Sequence, residues 1–162
     1  MADHPLSNYL DIGVAGEDLV AQWLQSQQWL ILHQRWRCRL GEIDIIAEYN
    51  LGKEDNHPII AFVEVKTRSS GNWDAGGRSA IALKKQKKLW RTAQIFLTHY
   101  PQKADYPCRF DVAIVYGQRV SQQLPATYIN QEALAFSSAA GYRLTLEEYI
   151  PAAFDCSNFD SY

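Results

Sequence analysis

The sequence predicts an α/β fold with a mixed central sheet flanked by helices. Three observations predict it. A stretch of helical period opens the chain, a run of strand-like segments follows, and a second long helical stretch then separates the third of those segments from a fourth. A helix inserted between two strands is the usual way to lay them side by side in parallel. The earlier segments are joined by short turns, which suit antiparallel pairing.

The first helix is expected over 11–30, where Leu19, Val20, Trp23 and Leu24 recur with helical spacing. Glu17 lies on or beside that apolar stripe, where a carboxylate is costly without a partner. An extended segment follows through 29–40. In it Arg35, Arg37 and Arg39 alternate with Trp36, Cys38 and Leu40, giving one basic and one apolar face. A second strand is expected over 42–49 and a Gly/Asn/Asp/Pro turn over 50–58. The segment 59–67, with Phe62, Val63 and Val65, is the most strand-like of all.

A Gly/Ser-rich loop carrying Trp73 and Arg78 leads to the second helix, over 79–100. Ala82, Gln86, Leu89, Ala93, Phe96 and Tyr100 share one face of it, and Pro101 marks its end. A further strand is expected over 108–116, with Phe110, Val112, Ile114 and Tyr116 on one side and Asp111, Ala113 and Val115 on the other. Asp111 reads as a structural partner of Arg109 or of a backbone amide. Beyond Gly117 the pattern weakens. The segment 134–140 reads as helical, 143–146 as a short strand, and 149–154 as a closing turn.

The length of 162 residues suits one domain, 1–162. Its recognisable core is about 11–116, followed by an extension over 117–154 and a polar tail over 155–162. With 47% hydrophobic and 21% charged residues, the composition excludes a disordered chain. The longest apolar stretches, such as 59–63, fall far short of the roughly 20 residues that span a bilayer. Residues 1–9 lack the basic and apolar regions of a secretory signal, so a cytoplasmic protein is expected. Cys38, Cys108 and Cys156 are odd in number and widely spaced, which argues against a disulfide scaffold and against zinc. They read as core or surface thiols.

Net charge is -2, but it is unevenly spread. The segment 31–91 carries twelve Lys/Arg against seven Asp/Glu, while the rest carries four against eleven. The middle of the chain is therefore able to present a basic surface despite an acidic total.

The candidate chemistry lies on the second and third strands. Glu64 and Lys66 are one residue apart and project from the same face. Asp44 falls on the neighbouring strand if 50–58 closes a hairpin, and it is bracketed by Ile43 and Ile45. Two carboxylates with the carbonyl of Val65 offer the oxygen ligands that Mg²⁺ prefers, with Mn²⁺ as a substitute. Lys66 beside such a cation is a candidate to stabilise developing charge or to take a proton from water. Glu17 is a candidate further ligand, and Gln86 a candidate to hold water or phosphate. Each residue also has an ordinary structural reading: an ion pair, a snorkelling carboxylate, a local hydrogen bond. Their joint intrusion on apolar faces is what points to a site. Arg35, Arg37, Arg39, Arg68, Arg78, Lys84 and Lys88 are candidate contacts to a nucleic-acid backbone.

The segments Gly41-Glu42-Ile43-Asp44-Ile45-Ile46-Ala47, Phe62-Val63-Glu64-Val65-Lys66-Thr67-Arg68 and Cys108-Arg109-Phe110-Asp111-Val112 resemble the YraN-like family of uncharacterised bacterial proteins. Gly13-x-x-Gly16-Glu17 and Lys85-Gln86-x-Lys88-Leu89 resemble it too. The resemblance covers roughly 13–115. That family is placed in the restriction-endonuclease-like superfamily, near archaeal-type Holliday junction resolvases. The resemblance implies a restriction-endonuclease-like mixed sheet, a metal site at Asp44 and Glu64, and Lys66 as the catalytic lysine. Glu17 matches the superfamily's acidic residue on the first helix and Gln86 its frequent glutamine on the second. Ile43 stands where the superfamily usually has proline, which supplies no ligand.

Two readings follow. The first is a metal-dependent DNA endonuclease, with branched or otherwise structured DNA among its candidate substrates and a homodimer among its candidate states. The second is a non-catalytic nucleic-acid-binding or protein-interaction module on the same fold. An enzyme acting on a small phosphorylated metabolite is disfavoured, since no Walker or dinucleotide-type glycine loop is present.

Overall fold

A computed structural model describes residues 5–50, 52, 57–69, 81–120, 132–139, 141–157 and 159, with side chains from Ile12 onward. Its elements in chain order are α1 (Pro5–Ser26), β1 (Leu30–Cys38), β2 (Gly41–Tyr49), β3 (Ile59–Ser69), α2 (Leu83–His99), β4 (Cys108–Arg119), β5 (Ala135–Ala139) and β6 (Tyr142–Phe154). A single 3-10 turn, Pro101–Lys103, follows α2. The strands form one six-stranded sheet in the order β1-β2-β3-β4-β6-β5. Among the described residues only β3 and β4 pair in parallel, and they are the two strands separated by α2. This is a mixed α/β sheet flanked by helices, a restriction-endonuclease-like architecture.

Alternation along the central strands divides the core into two layers. Ile45, Ala47, Ala61, Val63, Ala113 and Val115 pack with Leu19, Val20 and Leu24 of α1. Ile46, Ile60, Phe62, Phe110, Val112 and Ile114 pack with Leu89, Ala93 and Phe96 of α2. β3 and β4 therefore bury both faces, which is why their sequences read as nearly continuous apolar runs. Ile43 joins the α2 layer although Ile45 faces α1, so strict alternation in β2 breaks at Asp44.

The C-terminal part departs from the expectation of a helix over 134–140. Those residues include strand β5, an edge strand paired with β6. Its alanines favour helix in isolation, but burial alternates residue by residue, with Phe136 and Ser138 outward. Partner geometry overrides propensity here. The expected turn over 149–154 is also strand, since β6 continues to Phe154. Pro151 suggested a break, but it sits where the β4–β6 register shifts between Phe110 and Val112, and a bulge tolerates proline. Ala152 has φ 48°, and its N–H donates to Asp111 Oδ1 at 2.9 Å. Asp111 thus caps the irregularity. Its carboxylate also accepts from Tyr149 Oη at 2.6 Å and lies 3.0 Å from Arg109 Nε, the structural role expected of it.

α1 begins earlier and ends earlier than expected, and α2 is described from Leu83. The loop carrying Trp73 and Arg78 lies outside the described residues.

Candidate functional site

The β2–β3 ladder runs from Tyr49 opposite Ile59 to Ile45 opposite Val63. Asp44 and Glu64 are the next residue on each strand beyond the end of that ladder. There the Asp44 side chain takes over from the backbone, its Oδ2 accepting the Val65 N–H at 2.7 Å. In a strand a residue's N–H and C=O point to the same side, so the Val65 carbonyl is turned toward Asp44 as well.

Glu64 follows Phe62 on the α2 side of β3. Its Oε1 lies 3.3 Å from Lys85 Nζ on α2. Its Oε2 is buried and has no hydrogen-bond partner among the described residues. Lys66 comes next on the same face, half-buried and opposite Ile114. Gln86 is one residue along α2 from Lys85, and its Nε2 donates to the Ile81 carbonyl at 2.8 Å.

From the other side, α1 brings Glu17. Arg35 Nε lies 2.9 Å from Glu17 Oε2. The N–H does not point at that oxygen, and Oε2 has no hydrogen bond among the described residues. Arg35 also reaches Asp18 Oδ1 at 3.0 Å. Its backbone, at φ 52°, interrupts the period-two pattern, so Arg35 turns toward α1 while Trp36 packs toward α2.

The electrostatics reflect crowding of like charges. Burial, then the field of Glu64, push the Asp44 carboxyl up to about 7, against the opposing Val65 hydrogen bond and Lys85. Burial, then the field of Asp44, push Glu17 up to about 7, and Arg35 opposes them. The structure thus brings Asp44 and Glu64 together, with the Val65 N–H bound to Asp44, and sets Glu17 within electrostatic range of Asp44. Among the described residues no group of three or more His, Cys, Asp or Glu side chains gathers closely enough to hold a metal ion. Asp44 and Glu64 have no third such side chain beside them, and Glu17 faces Arg35.

The basic residues are dispersed. Arg35 is committed to Glu17 and Asp18, and Arg37 lies 2.9 Å from Glu42. Arg39 is exposed in the turn after β1, and Arg68 is half-buried with interactions of its own. Arg78 lies outside the described residues. Lys84 and Lys88 line an open groove of about 500 Å³ with Leu40, Leu83, Lys87 and Arg91. The aliphatic chain of Lys88 crosses Gly41, where a Cβ would leave it too little room. Lys85 is the site residue that the sequence did not single out. Five cations lie within eight residues of α2, and only the fold shows which of them reaches a carboxylate.

A family profile described as Uncharacterised protein family UPF0102 matches residues 16–115. The chain belongs to that family. A UPF0102 protein of Trichormus variabilis is 57% identical over 149 residues, covering 92% of this chain and 97% of its own length. Similar proteins from Trichodesmium erythraeum and from Synechocystis sp. are each 46% identical, covering 92% and 89% of this chain and 91% and 97% of their own. The UPF0102 match contains Glu17, Asp44, Glu64, Lys66 and Gln86 and stops before β5 and β6. It relates the chain to nuclease-like proteins of the restriction-endonuclease-like superfamily. No helix among the described residues is long and apolar enough to cross a membrane.

Proposed function

We propose that this UPF0102 chain is a metal-dependent endonuclease hydrolysing phosphodiester bonds in DNA. The observation that carries the reading is the meeting of Asp44 and Glu64 where β2 and β3 part, with Lys66 next on the same face. Two features fit a cation: a buried Glu64 oxygen that no described donor satisfies, and the Asp44 and Glu17 carboxyls, each raised to about 7 by burial and then by a neighbouring carboxylate. Asp44, Glu64 and the Val65 carbonyl would hold Mg²⁺ or Mn²⁺, with waters completing the shell. Such an ion supplies charge neutralisation on phosphoryl oxygens and a more acidic water.

The chain's own groups supply the rest. Asp44, fixed by the Val65 N–H, is preorganised. Lys66 places a positive charge where negative charge develops, or takes a proton. Gln86, anchored at Ile81, presents its amide oxygen to water. Glu17, within electrostatic range of Asp44, supports the site through a water. Lys84 and Lys88, with Arg39 and Arg68, position the backbone of the nucleic acid. Replacing Lys84 and Lys88 by alanine should shrink the salt slope of DNA binding by about 0.9 for each phosphate that is no longer neutralised.

The test is cleavage of labelled single-stranded, duplex, flap and four-way-junction DNA with Mg²⁺, Mn²⁺ or EDTA, alongside an identically prepared Lys66→Ala protein. Cation-dependent cleavage that vanishes in Lys66→Ala supports the reading, and the preferred substrate identifies the DNA shape. No cleavage by either protein favours the second reading, a DNA-binding or protein-interaction module on this fold. The pairing of Glu17 with Arg35 favours that alternative, since it ties up the third carboxylate. On that reading any DNA binding survives both EDTA and Lys66→Ala.

A further inference from the structure

The pairs Gln34–Ile45 and Trp36–Ile43 of the β1–β2 ladder leave Arg35 opposite Asp44. Both of these residues are irregular. Ile45 lies on the α1 side of the sheet and Ile43 on the α2 side, so alternation in β2 breaks at Asp44. On β1, Gln34 and Arg35 are successive residues, and successive strand residues ordinarily point to opposite faces. Here both reach the same atom of α1, Asp18 Oδ1, at 3.1 Å and 3.0 Å, and Trp36 returns to the α2 side. The φ of 52° at Arg35 makes this turn. A long side chain seldom takes that conformation, and it persists only where its surroundings hold it.

Two carboxylates of α1 hold it. Besides Asp18, Arg35 Nε lies 2.9 Å from Glu17 Oε2, and Glu17 is the more enclosed partner, 16% exposed against 49% for Asp18. A contact with Asp18 alone would be an ordinary solvated pair of little consequence. Glu17, however, feels the charges of Asp44 and Arg35 together. The carboxylates therefore have a protein cation on either flank: Lys85 at Glu64 on the α2 side and Arg35 at Glu17 on the α1 side.

We propose that Arg35 is a positioning residue whose guanidinium stands in for a second metal ion at Glu17, so that Asp44 and Glu64 form a one-ion centre. The proposal rests on the cation reading of Asp44 and Glu64 given above. A guanidinium keeps its charge at every working pH. A dication brought to Glu17 meets that charge at close range and is repelled by it. The left-handed backbone at Arg35 is what turns the guanidinium onto α1, and so sets the number of ions the centre takes.

The experiment is titration calorimetry of the metal-free full chain with Mn²⁺, with electron paramagnetic resonance to detect two ions close enough to couple. Neither measurement reads activity. The parent should bind one ion, and Arg35→Lys, which keeps the charge, should also bind one. Arg35→Asn removes the charge while asparagine tolerates the left-handed backbone, and it should bind two coupled ions. Adding Glu17→Gln to Arg35→Asn should return the count to one. Glu17→Gln alone, which does not depend on the Arg35 variants folding, should still bind one ion, and loss of that ion would make Glu17 a ligand and overturn the proposal. Two ions in the parent, or one in Arg35→Asn, would overturn it while leaving the cation reading intact. No ion in any of the proteins would overturn the cation reading and this proposal with it.

Discussion

Gly16 of α1 lies so close to Thr67 of β3 that a Cβ on residue 16 would overlap the Thr67 hydroxyl. The contact is with the Thr67 side chain, whose Oγ1 is buried without a hydrogen-bond partner among the described residues. The absence of a side chain at Gly16 lets α1 settle on the sheet and sets the height of Glu17, the next residue. Gly16→Ala should destabilise the protein by about 1–3 kcal/mol, the usual cost of overpacking. Thr67→Ala in the same chain should recover part of the loss, because it removes the overlapping oxygen. Urea unfolding of the two single variants and the double variant measures this coupling. Additive effects would mean that the overlap with the Thr67 side chain is not the source of the loss.

The Asp44 carboxyl is raised from 3.8 to about 7 and that of Glu17 from 4.5 to about 7. A raised acid favours the folded state while it is protonated. The stabilising contribution is therefore complete below the unfolded values near 4, and it is lost as pH rises to about 7. Each pKa unit is worth about 1.4 kcal/mol, so a charged Asp44 costs a few kcal/mol in the metal-free protein. Asp44→Asn keeps an acceptor for the Val65 N–H and removes the charge. Its stability relative to the parent should rise between pH 5 and pH 7.5, as read from urea midpoints in EDTA. A difference that is flat with pH would show that Asp44 is not raised.

Much of this site was legible in sequence because charge is rare in strands with buried faces. Asp44 stood between two isoleucines and Glu64 between two valines, so burial announced them. The parallel β3–β4 pair was legible because a helix of sufficient length separates the strands. Two things were not legible. Arg35 appeared to belong to a basic face, but its left-handed backbone turns it onto Glu17 and Asp18, and arginine gives no local signal of that conformation. The strand β5 and the end of β6 were misread because alanine-rich and proline-containing sequence becomes strand only against a partner: β5 pairs with β6, and β6 with β4, more than twenty residues earlier.

Asp111 is almost fully buried and holds three groups at once: Arg109, the Tyr149 hydroxyl and the Ala152 N–H. Burial, then the charge of Asp111, raise the Tyr149 hydroxyl well above its ordinary range, so it stays a donor. Asp111→Ala leaves a half-buried guanidinium and two donors without their acceptor. A loss of about 3–5 kcal/mol is expected, as for a broken buried ion pair. Asp111→Asn retains an acceptor for Ala152 and should cost less. Thermal unfolding of both variants decides between them, and equal losses would mean that charge rather than hydrogen bonding dominates.

Lys85 acts as the counter-ion of Glu64, and its field also lowers Asp44. A protein cation already beside these carboxylates opposes a second cation by repulsion. Lys85→Met keeps the aliphatic stem and removes the charge. In the metal-free state the variant should lose about 1 kcal/mol or less, because the lysine is partly exposed and its pair is screened by solvent. With Mn²⁺ the direction reverses. The carboxylates lose a competing charge, so calorimetric affinity should rise several-fold while DNA binding in EDTA falls slightly. Unchanged Mn²⁺ affinity together with a large loss of DNA binding would instead place Lys85 on the phosphate backbone, and the Glu64 pair would then be a resting position rather than a counter-ion.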